Sequence, residues 1–82
     1  MRIIANVIGV GQRKKGISKK NGKPYDMQEI AISYDHQMFS GQKCETIAID
    51  GNTIGDRVIA VGDSLDMVIH QANFKTYVDA IL

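Results

Sequence analysis

The sequence predicts a small all-β barrel. Three observations carry that expectation. At least five short segments alternate apolar with polar residues or are rich in β-branched residues, turn signals separate them, and no long helical pattern interrupts them. Eighty-two residues allow one domain, spanning 1–82, whose small core is marginal without help such as homo-oligomerisation. Internal repeats, low-complexity tracts and interdomain linkers are absent from the sequence.

Arg2 to Val10 is rich in Ile and Val and reads as the first strand. Ile3, Ala5 and Val7 share one face; Ile4, Asn6 and Ile8 share the other. Gly9 and Gly11 then loosen the strand, where a bulge or sharp bend would redirect the chain. Asn21-Gly22 signals a hairpin with a type I′ turn, which needs positive φ at both central residues. Its outgoing arm begins after Pro24, which cannot donate to a ladder and so belongs on an edge or at a strand start.

From Tyr25 to Asp35 the alternation sets Ile30, Ile32 and Tyr34, as core, against Tyr25, Met27, Glu29, Ala31 and Ser33. His36 to Lys43 reads as a loop. Cys44 to Asp50 is a strand with Glu45, Ile47 and Ile49 opposite Cys44, Thr46 and Ala48, and Asp50-Gly51-Asn52 is a turn. Thr53 to Val61 fits two readings. Ile54, Val58 and Val61 have helical spacing and favour a short turn or helix, whereas Arg57 to Val61 alone would make a short strand. Leu65 to His70 is a strand with Leu65, Met67 and Ile69 on one face. Gln71-Ala72-Asn73 turns the chain into Phe74 to Leu82. Its β-branched and aromatic content favours a strand over the helix that Phe74, Tyr77, Val78 and Ile81 would also allow.

The functional reading centres on Arg13 to Met27. This stretch holds six of the ten basic residues, Arg13, Lys14, Lys15, Lys19, Lys20 and Lys23, and no acid before Asp26. The net charge of +1 conceals the asymmetry: residues 1–25 carry seven cations and no acid, residues 26–82 three cations and nine acids. A hairpin tip crowded with cations repels itself and gains nothing in folding, and a loop kept only for solubility would mix signs. The stretch therefore reads as a surface that meets a polyanion, nucleic acid before others. Lysine and arginine neutralise phosphates and release counterions, Tyr25 can stack on a base, and Met27 can pack against one. The competing structural readings are a solvated loop for the lysines, strand packing for Tyr25, core or dimer-contact packing for Phe74 and Tyr77, and core for Tyr34.

Catalysis finds little support. His36 and His70 lie far apart in sequence, and no HxxxH pair, CxxC, GxGxxG, Walker loop or nucleophile elbow is present. Gly9-Val10-Gly11 lacks the third glycine and the helix of a dinucleotide site. The expectation is a non-enzymatic protein without catalytic residues, metal site, cofactor or small-molecule substrate. Cys44 has no partner for a disulfide and reads as a small buried apolar residue. No apolar run reaches the ~18 residues of a transmembrane helix, and no signal-peptide pattern is present. A soluble, intracellular protein with no membrane partner is expected.

The run Gly16-Ile17-Ser18-Lys19-Lys20-Asn21-Gly22-Lys23-Pro24-Tyr25-Asp26-Met27-Gln28-Glu29 resembles the DNA-binding wing of filamentous-phage single-stranded DNA-binding proteins, the gene V protein family. There, a glycine-hydrophobe-serine-basic run leads through a turn into Gly-Lys-Pro-Tyr, then a hydrophobe, then a glutamate. The close match covers about one sixth of the chain. It implies an OB-like five-stranded antiparallel barrel with a protruding basic hairpin, the wing. It also implies a symmetric homodimer that coats phage single-stranded DNA cooperatively, in the cytoplasm of an infected bacterial host.

By the same carry-over, Lys14, Lys19 or Lys20, and Tyr25 touch DNA, with Met27 beside them. The wing is one residue longer here, so either Lys19 or Lys20 takes the family position. Other positions depart from the pattern. A family aromatic falls at Ser33, with Tyr34 adjoining it; a family lysine falls near Thr46, with Lys43 as its stand-in; the family's late arginine has no counterpart. Phe74 or Tyr77 stands for the aromatic that reaches a dimer-related DNA strand. The expected function is sequence-tolerant binding of single-stranded DNA in phage replication. Single-stranded RNA, and with it translational repression, is open to the same chemistry, since backbone charge and stacking barely distinguish the two. The alternative, from another class, is a small β-barrel protein-interaction module whose basic hairpin docks an acidic protein partner.

Overall fold

The computed structural model describes residues 1–82. Five strands, β1 (Arg2–Ile17), β2 (Pro24–Asp35), β3 (Gln42–Asp50), β4 (Ser64–Ala72) and β5 (Lys75–Ile81), and one short helix, α1 (Gly51–Ile54), make up its regular structure. The all-β expectation holds. The strands form one antiparallel sheet in the order β3-β2-β1-β4-β5. Its edges, β3 and β5, exchange no ladder, so backbone hydrogen bonding leaves the sheet open.

β1 is the strand the others are hung on. It pairs with β4 over Arg2 to Asn6 and with β2 over Asn6 to Ile17. The register slips between Val7 and Gly9 and again between Val10 and Arg13, where the glycines foretell bulges. The strand nevertheless runs on to Ile17 instead of stopping at Val10. Pairing with β2 sustains it, and the Gln28 side-chain amide donates to the Gly11 carbonyl at 2.9 Å across the second irregularity.

Alternation places the core as expected. Ile3, Ala5 and Val7, then Ile30, Ile32 and Tyr34, then Ile47 and Ile49, then Leu65, Met67 and Ile69 all point inward. Ile54 of α1 and Ile59 of the following loop close one end, and Val78 and Ile81 of β5 pack alongside. Fully burying one such aliphatic side chain stabilises by ~1.5–3 kcal/mol, so the sheet's inner face is the main cohesive element.

Several local expectations are corrected. Cys44 is exposed, because it shares the outward parity of Thr46 and Ala48 on a strand whose other face supplies Ile47 and Ile49. β3 starts at Gln42 and not at Cys44, in register with Asp35. In 53–61 only Thr53 and Ile54 are helical, and Val58 and Val61 lie exposed. Gly62 N–H instead donates to the Val7 carbonyl at 2.8 Å and Val7 N–H to the Asp63 carbonyl at 2.9 Å, which fastens the segment to β1 as a loop.

The two hairpin turns exchange the expected roles. At Asn21-Gly22 only Gly22 has positive φ, at 68°. Ser18 and Lys23 close a four-residue loop through a 2.8 Å backbone bond, and Gly22 N–H donates to the Ser18 carbonyl at 2.8 Å. Asn21 Oδ1 accepts from Lys23 N–H at 3.0 Å. A two-residue turn would have set Lys20 directly opposite Lys23, and like charges facing across strands are destabilising. The tight turn lies instead between β4 and β5. There Asn73 and Phe74, at φ 52° and 64°, join the paired Ala72 and Lys75. Gln71 and Ala72 accordingly belong to β4.

Candidate nucleic-acid interface

Cross-strand register decides which side chains of the basic hairpin share a face. Lys14 faces Met27 and Gly16 faces Tyr25, so Lys14, Tyr25 and Met27 line one side. Arg13, Lys15, Ile17, Pro24, Asp26 and Gln28 line the other. Tyr25 lies over Gly16. A Cβ at Gly16 would stand 2.9 Å from the Tyr25 hydroxyl and 3.1–3.2 Å from ring carbons, so glycine is what lets the ring rest on the hairpin.

The opposite face is anchored. Arg13 donates to both carboxylate oxygens of Asp26, at 2.9 and 2.8 Å, and to the Gly55 and Gly51 carbonyls at 3.1 and 3.4 Å. The hydrogen bond from Arg13 holds the Asp26 carboxyl below its ordinary range, with the charges of Arg13 and Lys15 adding to it. Arg13 is thus engaged in fixing the hairpin base to α1, unlike the neighbouring lysines. Lys14, Lys15, Lys19, Lys20 and Lys23 are exposed and none forms a salt bridge.

Tyr34 is also withdrawn from the candidate surface. It is fully buried, and its hydroxyl donates to Glu45 Oε2 at 2.6 Å. Burial, and then the bond to Glu45, push that hydroxyl well above its ordinary value. Lys43 Nζ lies 3.4 Å from Glu45 Oε2 and 5.8 Å from the centre of the Phe39 ring, so its charge is partly engaged. Burial raises the Glu45 carboxyl, but hydrogen bonds from Thr76 and Tyr34 and the charge of Lys43 outweigh it and hold the group below its ordinary range. β5 lies beside β3 across the open seam of the sheet.

Two cavities extend the hairpin surface. One, of about 570 Å³, is lined by Tyr25, Met27, Ala48, Asp50, Asn52 and Tyr77, among others. The second, of about 700 Å³, lies between the edges of β3 and β5 and takes in Lys43, Ala48, Phe74, Lys75, Thr76 and Tyr77. The fold thus brings Tyr77 to the Tyr25 and Met27 face of the hairpin and gathers Lys43, Phe74 and Tyr77 around one cleft. Phe74 is fully exposed at its turn, and Tyr77 is exposed on β5, so both lie outside the core. Sequence reasoning missed Ala48, Asn52 and Lys75, and it gave Gly16 only as the opening residue of the basic run, not as the seat of the Tyr25 ring. Only register could have found these, because no local motif marks them.

The chain brings together no group of three His, Cys, Asp or Glu side chains suited to a metal ion, and no helix is long and apolar enough to cross a membrane. No family model, curated protein or solved structure matches this chain at a significant level.

Proposed function

We propose that this chain is a sequence-tolerant single-stranded nucleic-acid-binding protein, with single-stranded DNA its first ligand. One observation carries the reading: five lysines without an acid partner surround a hairpin whose outer face displays Tyr25 and Met27. Lys14 and the tip lysines Lys19, Lys20 and Lys23 neutralise phosphates, while Tyr25 stacks on a base and Met27 packs against it. Asp50 pairs across from Met27, and Glu29 lies on the same strand face. These acids repel phosphate, which favours presenting bases to the sheet and backbone to the lysines.

The resemblance of Gly16 to Glu29 to the gene V protein wing supports the finer picture. In it the sheet is an OB-like barrel, curled so that β3 and β5 border a shared cleft, and the protein acts as a homodimer coating phage DNA in the host cytoplasm. Ile4 and Ile8, exposed on the outer side of β1, supply apolar surface for such a pairing.

The test is titration of a fluorescent oligothymidine and the matching duplex at low and moderate salt. Binding that prefers the single strand and weakens steeply with salt is expected. Equal, feeble binding to both would refute the reading and redirect attention to an acidic protein partner of the hairpin.

A further inference from the structure

The asparagine at the tip of the wing stands apart from the chain's three others. Of Asn6, Asn21, Asn52 and Asn73, only Asn21 precedes a glycine. Asn6 is paired within β1, Asn52 lies in α1 ahead of β-branched Thr53, and Asn73 is followed by the bulk of Phe74. Asn21 and Gly22 are exposed, and a Cβ at Gly22 would meet nothing within 4 Å, so the space around that peptide bond is open.

Two contacts set the chemistry of this pair. Asn21 Oδ1 accepts from Lys23 N–H at 3.0 Å, which folds the carboxamide back over the Gly22 peptide as an Asx turn. The same bond places a donor on the oxygen that gathers negative charge when Cγ is attacked, and the unpaired Lys19, Lys20 and Lys23 favour that charge as well. The opposing contact is the 2.8 Å bond from Gly22 N–H to the Ser18 carbonyl, which must open first. Opening of this kind costs least at exposed loop tips.

We infer that Asn21 is a self-modification site, converting to an acid and thereby weakening the wing's hold on a polyanion. The Gly22 nitrogen gives its proton to hydroxide and bonds to Asn21 Cγ. The Cγ–Nδ2 bond breaks, and Nδ2 leaves as ammonia after taking a proton from water, which leaves a five-membered succinimide. Water then adds to one ring carbonyl, and that carbon's bond to the ring nitrogen breaks. Attack at Cγ gives aspartate; attack at the main-chain carbonyl gives isoaspartate. Water is the only co-reactant. The new carboxylate sits among the tip lysines, pairs with one of them and withdraws that cation from phosphate. The modification stands on the chemistry of the hairpin alone, whereas its effect on binding rests on the nucleic-acid reading above.

The test is to age the purified protein at mildly alkaline pH and to map it by peptide mass spectrometry. Position 21 should convert well ahead of Asn6, Asn52 and Asn73, and faster as pH rises. Asn21→Gln, whose longer amide would have to close a less favourable six-membered ring, should stay unconverted over the same period. Conversion at position 21 no faster than at the other three asparagines would overturn the site. Aged protein and freshly prepared Asn21→Asp should both bind oligothymidine with the slope of log affinity against log salt reduced by ~0.7, the share of one phosphate contact on a single strand. Asn21→Gln should keep the wild-type slope. An unchanged slope in fully converted protein would refute the effect on binding. If unaged wild-type protein fails to bind oligothymidine, the nucleic-acid reading and that effect fall together, and the mapping decides the site by itself.

Discussion

The ring of Tyr25 lies on the backbone of Gly16, its cross-strand partner, with no room between them for a Cβ. Gly16 does not have positive φ, so alanine is tolerated there by the backbone and the ring must give way. Gly16→Ala should therefore leave the circular dichroism spectrum unchanged while weakening oligothymidine binding. The loss should approach that of Tyr25→Ala, ~1–3 kcal/mol. Unchanged affinity in Gly16→Ala, measured by fluorescence titration, would show that the resting position of the ring does not matter.

Arg13 and the tip lysines should separate cleanly into stability and binding. Arg13→Ala strands Asp26 and frees the Gly51 and Gly55 carbonyls, so its thermal midpoint should fall. Lys19→Ala with Lys20→Ala should leave the midpoint in place. It should reduce the slope of log affinity against log salt by ~1.4, at ~0.7 per phosphate contact on a single strand. The reverse pattern would mean that the roles of Arg13 and the tip have been interchanged.

Phe74 holds a left-handed φ of 64° while fully exposed, a place where glycine is at ease and a bulky residue is strained. Phe74→Gly should stabilise the fold by ~1 kcal/mol in urea unfolding. The same change should weaken oligothymidine binding, since Phe74 borders the β3–β5 cleft. Gain of stability without loss of binding would mark the residue as idle in the interaction.

The pH dependence follows from the paired acids. Arg13 lowers Asp26, Arg2 lowers Asp66, and Glu45 is lowered despite its burial by Thr76, Tyr34 and Lys43. A carboxylate with a depressed folded value contributes stability that is complete above its unfolded value, ~4, and is lost as pH falls through the folded value. Tyr34 is raised, so its contribution is complete below ~10 and is lost as pH climbs beyond that. Stability measured by urea unfolding should stay level through neutrality and fall on both limbs. Tyr34→Phe should cost ~1–3 kcal/mol at neutral pH and flatten the alkaline limb. An alkaline limb that persists in Tyr34→Phe would place its origin elsewhere.

The strands were legible in the sequence because alternation has a period of two, and one face had to be buried: Ile30, Ile32 and Tyr34 could hardly lie elsewhere. The density of lysine before Asp26, and the presence of Tyr25 and Met27 after Pro24, were equally plain from residue order. Tertiary structure alone decided the rest. Arg13 looked like its lysine neighbours, yet the cross-strand register set it diagonal to Asp26 and over α1, where it bonds Asp26, Gly51 and Gly55. Asn21-Gly22 had the stronger signal for a tight turn, but that loop closes over four residues between Ser18 and Lys23, and strand pairing assigned the tight turn to Asn73 and Phe74. The cleft that gathers Lys75, Ala48 and Tyr77 depends on β3 approaching β5 at opposite ends of the sheet order, a distance relation that no local pattern encodes.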